Sequence, residues 1–137
     1  MSCYRLVCGT TAVLTAALIA LVPSGIGATT TSGGVSPKLV GRWSHNVHAT
    51  TFPSGVWSMA IKKSGAAAFY QPMNNSVDFT TSFKTSAGGK LSVGTVPICP
   101  TTAVYHWKLS RARLTITKVS DTCQDRVRLY SGVWKRS

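Results

Sequence analysis

Acidic residues are nearly absent from this chain. Its 137 residues include three aspartates, Asp78, Asp121 and Asp125, and no glutamate. Proton transfer between paired carboxylates needs two such groups facing one another, and this composition leaves little from which to build that site. The sequence also lacks a serine-nucleophile motif, a phosphate-cradling glycine loop and a zinc signature. We therefore expect a protein that is not an enzyme and that needs no cofactor. Asp121 and Asp125 share one predicted loop, where we interpret both as solvated turn residues.

Long basic runs are missing too, although the chain as a whole is strongly basic. The chain has 15 Lys and Arg residues, and all but Arg5 lie beyond the first 28 residues. Those fourteen basic residues and the three aspartates give this part a net charge near +11. Such a charge attracts anionic partners such as cell-surface polymers, phospholipid, nucleic acid or acidic glycans. The basic residues are spread singly, apart from Lys62-Lys63 and Lys135-Arg136, so we expect no specific nucleic-acid partner. The alternative is that the charge serves solubility alone.

The first 28 residues have the pattern of an export signal. Arg5 precedes an almost uncharged stretch, Leu6–Val22, and Pro23-Ser24-Gly25 then breaks any helix. We predict that residues 1–28 are a signal peptide that forms a helix, and hence that the protein is secreted. An uncleaved membrane anchor is the alternative, because the apolar stretch is close to the roughly 20 residues that a span needs. Residues 29–38, rich in Thr, Ser and Gly, are predicted to form a flexible leader before a folded domain at residues 39–137.

Two cysteines remain in the predicted domain, Cys99 and Cys123. An even pair in an exported domain indicates a disulfide, which would stabilise the fold by about 3 kcal/mol. Two buried free thiols are the alternative. Metal binding is not expected, since two cysteines cannot fill a zinc shell. His45 and His48 do not change this, because residues three apart on a strand point to opposite faces.

The domain shows alternating apolar and polar residues and almost no helical periodicity. Turn signals separate eight short segments, a spacing typical of an antiparallel sandwich or barrel. We predict an all-β fold, an eight-stranded antiparallel up-and-down barrel, whose interior holds side chains or one small ligand. The predicted strands are Leu39–Val47, Val56–Lys62, Ala66–Gln71, Val77–Lys84, Lys90–Val96, Ala103–Leu109, Arg113–Val119 and Arg126–Arg136.

The first and last segments carry a resemblance to a known family. Leu39-Val40-Gly41-Arg42-Trp43 resembles the Gly-x-Trp opening strand of lipocalin-like proteins, and the chain from Cys99 to Arg136 resembles small secreted bacterial members of this calycin-type group. The resemblance implies that Gly41, Trp43 and Trp134 help to close the barrel, with Arg136 or Arg128 packed on Trp43. Strict lipocalins usually carry a helix after the eighth strand, and avidin-like barrels lack it. No helix is evident in this sequence after the eighth segment.

Aromatic residues suggest where a ligand would bind. We predict that five of them line the barrel interior, namely Trp57, Phe79, Phe83, Tyr105 and Trp107. A small amphipathic or acidic molecule would fit such a pocket if Arg or Lys lay at its mouth. In the alternative interpretation these rings simply fill the barrel.

Two other functions stay open. One alternative is a protein-binding module, such as an inhibitor of a secreted protease, with residues 29–38 inserted into the target's cleft. The other is a cationic protein held on an anionic cell surface by charge. In either case contact with a membrane is expected only through an uncleaved signal segment.

Overall fold

The computed structural model describes residues 34–137, and these form a closed antiparallel barrel of eight strands joined in sequence order. The predicted all-β barrel is therefore confirmed. The predicted signal peptide and the first part of the predicted leader lie outside the described residues. No helix in the described part of the chain has the length and apolar character that a membrane span requires. The strands are β1 (Gly41–Val47), β2 (Gly55–Ile61), β3 (Ala66–Tyr70), β4 (Val77–Ser86), β5 (Lys90–Val93), β6 (Ala103–Ser110), β7 (Arg113–Ser120) and β8 (Gly132–Arg136).

Alternation along the strands builds the core. In β7, Leu114 and Ile116 are buried while Thr115 and Thr117 are exposed. Successive side chains of a strand point to opposite faces, so one face of each strand supplies the barrel interior. Because β8 also pairs with β1, the sheet has no free edge at which another chain could add.

The eighth strand is shorter than predicted, and this part of the prediction is wrong. Instead of one strand over Arg126–Arg136, the chain forms a helix, α1 (Gln124–Tyr130), before β8 begins at Gly132. Arg126, Leu129 and Tyr130 are the buried residues of α1. These three residues are at positions i, i+3 and i+4, which share one face of a helix. The helix can therefore bury all three side chains together, whereas in a strand the neighbours Leu129 and Tyr130 would point to opposite faces. The helix precedes β8 rather than following it.

One end of the barrel, which we call the base, is closed by the chain before β1. A short 3₁₀ helix, Pro37–Leu39, leads into β1, and Val35 and Leu39 are buried. The indole Nε1 of Trp43 donates a hydrogen bond of 2.8 Å to the carbonyl oxygen of Leu39. Residues 34–38, which belong to the predicted leader, thus pack against the barrel.

The last strand covers the same end. The guanidinium of Arg136 lies 4.4 Å from the ring centroid of Trp43, the packing that the resemblance implies for one of two arginines. Its Nη1 and Nη2 donate hydrogen bonds to the carbonyl oxygens of Val40 (3.2 Å) and Lys38 (3.0 Å). A cation over an indole contributes about 0.5–2 kcal/mol. Arg128, the other candidate, lies on α1 instead.

The opposite end, which we call the mouth, carries the loops β1–β2, β3–β4, β5–β6 and the segment with α1. All three acidic residues of the chain, Asp78, Asp121 and Asp125, lie toward the mouth, together with Lys118, Arg126 and Arg128. Every other Lys and Arg of the described chain lies toward the base, in a turn or in the nearer half of its strand, and is exposed. These basal cations are Lys38, Arg42, Lys62, Lys63, Lys84, Lys90, Lys108, Arg111, Arg113, Lys135 and Arg136.

We predict that Gly41→Ala weakens the base. Gly41 has φ +131°, which L side chains rarely adopt, and an added Cβ would lie 2.8 Å from Nη1 of Arg136. Backbone strain of about 1–3 kcal/mol would add to the displaced cation–π contact, so the free energy of unfolding should fall by about 2–4 kcal/mol in urea titrations. Gly88→Ala is the matched control, because Gly88 also has a positive φ but has open space around it. Equal losses in the two variants would contradict a role for Arg136 here.

Candidate ligand-binding site

The helix α1 lies across the mouth and contacts several of its loops. Asp125 accepts a hydrogen bond of 2.6 Å from Thr51 in the β1–β2 loop. Arg126 Nη1 donates a hydrogen bond of 2.6 Å to the carbonyl oxygen of Thr101 in the β5–β6 loop. A disulfide between Cys99 and Cys123, with Cα atoms 5.8 Å apart, joins this loop to the residue that precedes the helix. The predicted disulfide is thus present, and it holds α1 over the open end of the barrel.

A buried ion pair anchors the helix from below. Nε and Nη2 of Arg126 donate hydrogen bonds of 2.7 and 2.8 Å to the two carboxylate oxygens of Asp121. Both side chains are almost completely buried, with exposed fractions of 1% and 0%. The Tyr105 hydroxyl and the Cys123 amide also donate to Asp121. The interpretation of Asp121 as a solvated turn residue is therefore wrong. Asp121 is buried beside Arg126 and provides the close anionic partner that a buried positive charge needs.

The protonation states of this cluster follow from its contacts. Burial alone would raise the pKa of Asp121, but the hydrogen bonds from Arg126, Tyr105 and Cys123 hold that pKa below its usual value. The hydrogen bonds to Asp121 raise the pKa of Arg126. Burial, together with the hydrogen bond to Asp121, raises the pKa of Tyr105. At neutral pH the cluster therefore holds one carboxylate, one guanidinium and a neutral phenol that donates.

The side chain of Tyr130 occupies the interior beneath the helix. Its ring stacks on Phe69, with centroids 4.8 Å apart, and lies 5.7 Å from Tyr105 and 6.0 Å from Phe83. Burial raises the pKa of its phenol. Among residues 34–137 no group hydrogen-bonds the Tyr130 hydroxyl, which is buried. The middle of the predicted ligand-binding interior is thus filled by a side chain of the protein itself.

A small aromatic cleft remains at the mouth, between α1 and the loops. Its solvent-accessible volume is about 40 Å³. Phe79 stacks on Phe69 at 4.7 Å, and Phe52 meets Trp57 edge to face at 5.8 Å. The indole Nε1 of Trp57 donates to the Pro53 carbonyl oxygen. The lining residues are Phe52, Trp57, Asp78, Phe79, Val96, Ile98, Asp125, Arg126, Leu129 and Tyr130.

The charge around this cleft is negative. Asp78 and Asp125 both line it, and the third lining ion, Arg126, is neutralised by Asp121. In a chain of net charge +12, the mouth thus presents carboxylates beside aromatic rings. The arrangement does not provide the unpaired Arg or Lys that an acidic ligand would need at this cleft.

The five predicted lining residues separate into three places. Trp57 and Phe79 line the mouth cleft, while Phe83 and Tyr105 pack around Tyr130 inside the barrel. Trp107 lies nearer the base, where its amide donates to the carbonyl oxygen of Gly89, and it is only partly buried. Trp134, predicted at the closure, is fully buried and donates from Nε1 to the carbonyl oxygen of the last residue of α1.

Sequence reasoning missed several residues of the cleft. Phe52 is not among the five predicted lining residues, and the prediction places Leu129 and Tyr130 in a strand, Arg126–Arg136, where the structure has α1. A helical signal was present, since an acidic residue, Asp125, lies in the first turn of α1 and a basic one, Arg128, in the last. Within residues 34–137, no group of three or more His, Cys, Asp or Glu side chains could hold a metal ion.

We predict that Asp121→Asn destabilises the fold by about 3–5 kcal/mol at neutral pH, because it leaves the buried Arg126 charge without its partner. A carboxyl with a lowered folded-state pKa stabilises the fold above its usual value of 3.8 and loses that contribution as the pH falls through the lowered value. The gap between wild type and variant should therefore shrink when urea unfolding is repeated under more acidic conditions. Asp125→Asn is the control. A loss at Asp121 no greater than at Asp125 would contradict the anchoring role.

A second prediction compares two buried tyrosines. Tyr105→Phe removes a hydrogen bond to a carboxylate and should cost about 1.5–3 kcal/mol. Tyr130→Phe removes a buried hydroxyl that has no partner in the described chain, so stability should stay unchanged or rise by about 1 kcal/mol. Thermal unfolding of both variants provides the measurement. If both changes were equally costly, the Tyr130 hydroxyl would have a partner that this geometry does not contain.

The fold is an eight-stranded antiparallel barrel, compatible with the lipocalin-like architecture that the sequence resembles. This compatibility concerns the number, order and pairing of the strands. Comparison with protein-family models, curated proteins and solved structures found no match to this chain.

Proposed function

We propose that this chain is an exported, non-catalytic barrel protein that binds a small, mainly apolar molecule in the aromatic cleft at its mouth. The observation that carries the proposal is the cleft itself, with the rings of Phe52, Trp57 and Phe79 at its wall. Ligand sites are usually concave and apolar, with a few polar groups that orient the ligand. Here Asp78 and Asp125 supply the polar groups.

The size of the cleft limits what enters it. One water needs roughly 10–15 Å³ of solvent-accessible volume, so the cleft's volume of about 40 Å³ admits the edge of one ring or a short alkyl chain. The rest of a larger ligand would lie over the rim, beside Ile98, whose exposed fraction is 70%. Since Tyr130 fills the space below, the ligand binds at the mouth and does not enter the lumen. Such partial enclosure supports moderate affinity rather than tight binding.

The charge of the rim selects the ligand's polar group. Carboxylates next to aromatic faces attract an ammonium group both by charge and by cation–π contact. The sequence suggested an amphipathic or acidic ligand, and the amphipathic part of that hypothesis is kept. We propose a basic group in place of the acidic one, because Asp78 and Asp125 would repel a carboxylate.

Two matched probes test this proposal, phenethylamine and 3-phenylpropionate, which carry the same ring on a short chain. Titration of the isotope-labelled protein at millimolar probe concentration should give saturable amide shifts at Trp57, Phe79 and Leu129 with the amine. The acid should bind at least several-fold more weakly. Leu129→Ala should change the affinity for both probes, because Leu129 lines the cleft.

The charged residues provide a separate control. Asp78→Asn should weaken binding of the amine but not of the neutral analogue 2-phenylethanol, because only the amine uses the carboxylate. Trp107→Phe, near the base, should leave both affinities unchanged. Absence of saturable shifts with all three probes would refute the mouth cleft as a binding site. Stronger binding of the acid would refute only the assigned polar group.

A further inference from the structure

The closed topology brings together cations that the sequence keeps apart. Lys62, Lys84, Lys108 and Arg113 are separated along the chain by turns and strands, yet all are exposed toward the base. In an up-and-down barrel every second turn lies at the same end, so single charges at regular intervals accumulate there. Because all three aspartates lie toward the mouth, the basal cations have no acidic residue among them.

This arrangement costs stability unless an anion is present. Arg113 and Lys135 are direct cross-strand partners on β7 and β8. Like charges at opposed positions of an antiparallel pair destabilise it. The salt bridge found in the described chain joins Asp121 to Arg126, far from this pair. A bound polyanion would relieve the repulsion among the basal cations.

The chemistry of the base does not suit insertion into a lipid bilayer. Among residues 34–137, the exposed large hydrophobic residues all lie in mouth loops or in the mouth half of their strands. They are Val56, Met73, Val77, Ile98, Val119 and Val133. An amphipathic membrane-binding surface combines basic residues with apolar ones that enter the interface. In the part of the chain that the structure describes, the base offers exposed basic residues without exposed large apolar ones.

The positions of the basal cations favour a flexible linear polymer over a flat surface as the binding partner. Lys62 and Lys63 lie in a turn at the bottom, while Lys84, Lys108 and Lys135 are exposed on β4, β6 and β8 around the wall. A flat surface can contact either the turns at the base or one side of the barrel, but not both at once. A linear chain can follow the wall and the bottom together, and thereby contact cations on several strands.

We propose that the base of the barrel binds a linear anionic polymer that carries phosphate or carboxylate groups along its length. The polymer's charges pair with the basal cations, and the counterions they displace are released. This surface is at the opposite end from the mouth cleft, so both sites can be filled together. The inference does not depend on the ligand proposed for the cleft.

Binding of long-chain polyphosphate and of polygalacturonate to residues 29–137 tests the proposal, since the two polymers separate phosphate from carboxylate recognition. Affinity should fall steeply with salt, because each contacted anionic group contributes roughly 0.7–0.9 to the log–log slope in nucleic-acid systems. Lys62→Gln/Lys63→Gln should weaken binding about tenfold near physiological salt and reduce the slope by about 1.5. Arg113→Gln/Lys135→Gln should act similarly and, without polymer, should not lower the unfolding temperature.

Lys118→Gln/Arg128→Gln is the matched control, because it removes the same charge from the mouth side and should leave affinity nearly unchanged. Equal weakening by the basal and mouth-side pairs would overturn the proposal, since net charge alone would then explain binding. Binding to neither polymer would overturn it as well. Binding to phosphatidylglycerol vesicles in preference to both polymers would replace it with a membrane surface. The two basal double variants should still bind phenethylamine, because their substitutions lie at the opposite end of the barrel from the mouth cleft.

Discussion

Pairing of the first strand with the last is the constraint on which the rest of this structure depends. The pairing is short: Trp43 faces Arg136 and Ser44 faces Lys135. Two residue pairs alone would make a weak seam, and side-chain contacts reinforce it. Arg136 packs over Trp43 and reaches the carbonyl oxygens of Lys38 and Val40, so one side chain joins the last strand, the first strand and the preceding chain. Once this seam is closed, the barrel has two distinct ends.

The mouth is held by a different kind of interaction. A packed apolar core stabilises without direction, whereas the Asp121–Arg126 pair fixes α1 at one place through charge-assisted hydrogen bonds. Burying both ions carries a large desolvation cost, which the additional donors from Tyr105 and Cys123 offset. The consequence for function is spatial. With α1 held there, Tyr130 enters the lumen and stacks on Phe69, and a small aromatic cleft remains between α1 and the loops at the rim.

Sequence alone was sufficient for the architecture because the strands follow simple alternation, as Leu114 and Ile116 do in β7. The Gly41-x-Trp43 resemblance also rests on adjacent residues, and in the structure Arg136 lies over the Trp43 ring. The mouth was harder, since its organisation depends on contacts between distant segments. Asp121 stands between Ser120 and Thr122 in a predicted loop, a setting that suggests a solvated residue, and only the folded barrel brings Tyr105 and Arg126 against it. The strand predicted to begin at Arg126 is wrong because α1 has only seven residues, and so short a helix shows few periodic apolar positions.

The charge distribution shows how topology can create a property that no local segment possesses. Read along the chain, the cations are isolated, and solubility was an adequate explanation for them. Folding sends the turn with Lys62 and Lys63 and the ends of alternate strands to one end, and sends Asp78, Asp121 and Asp125 to the other. Within residues 34–137, the base is cationic and poor in exposed apolar residues. The mouth carries aromatic side chains and equal numbers of acidic and basic residues. A polymer attached at the base would therefore leave the cleft facing away from the anchoring surface, where a dissolved ligand has free access.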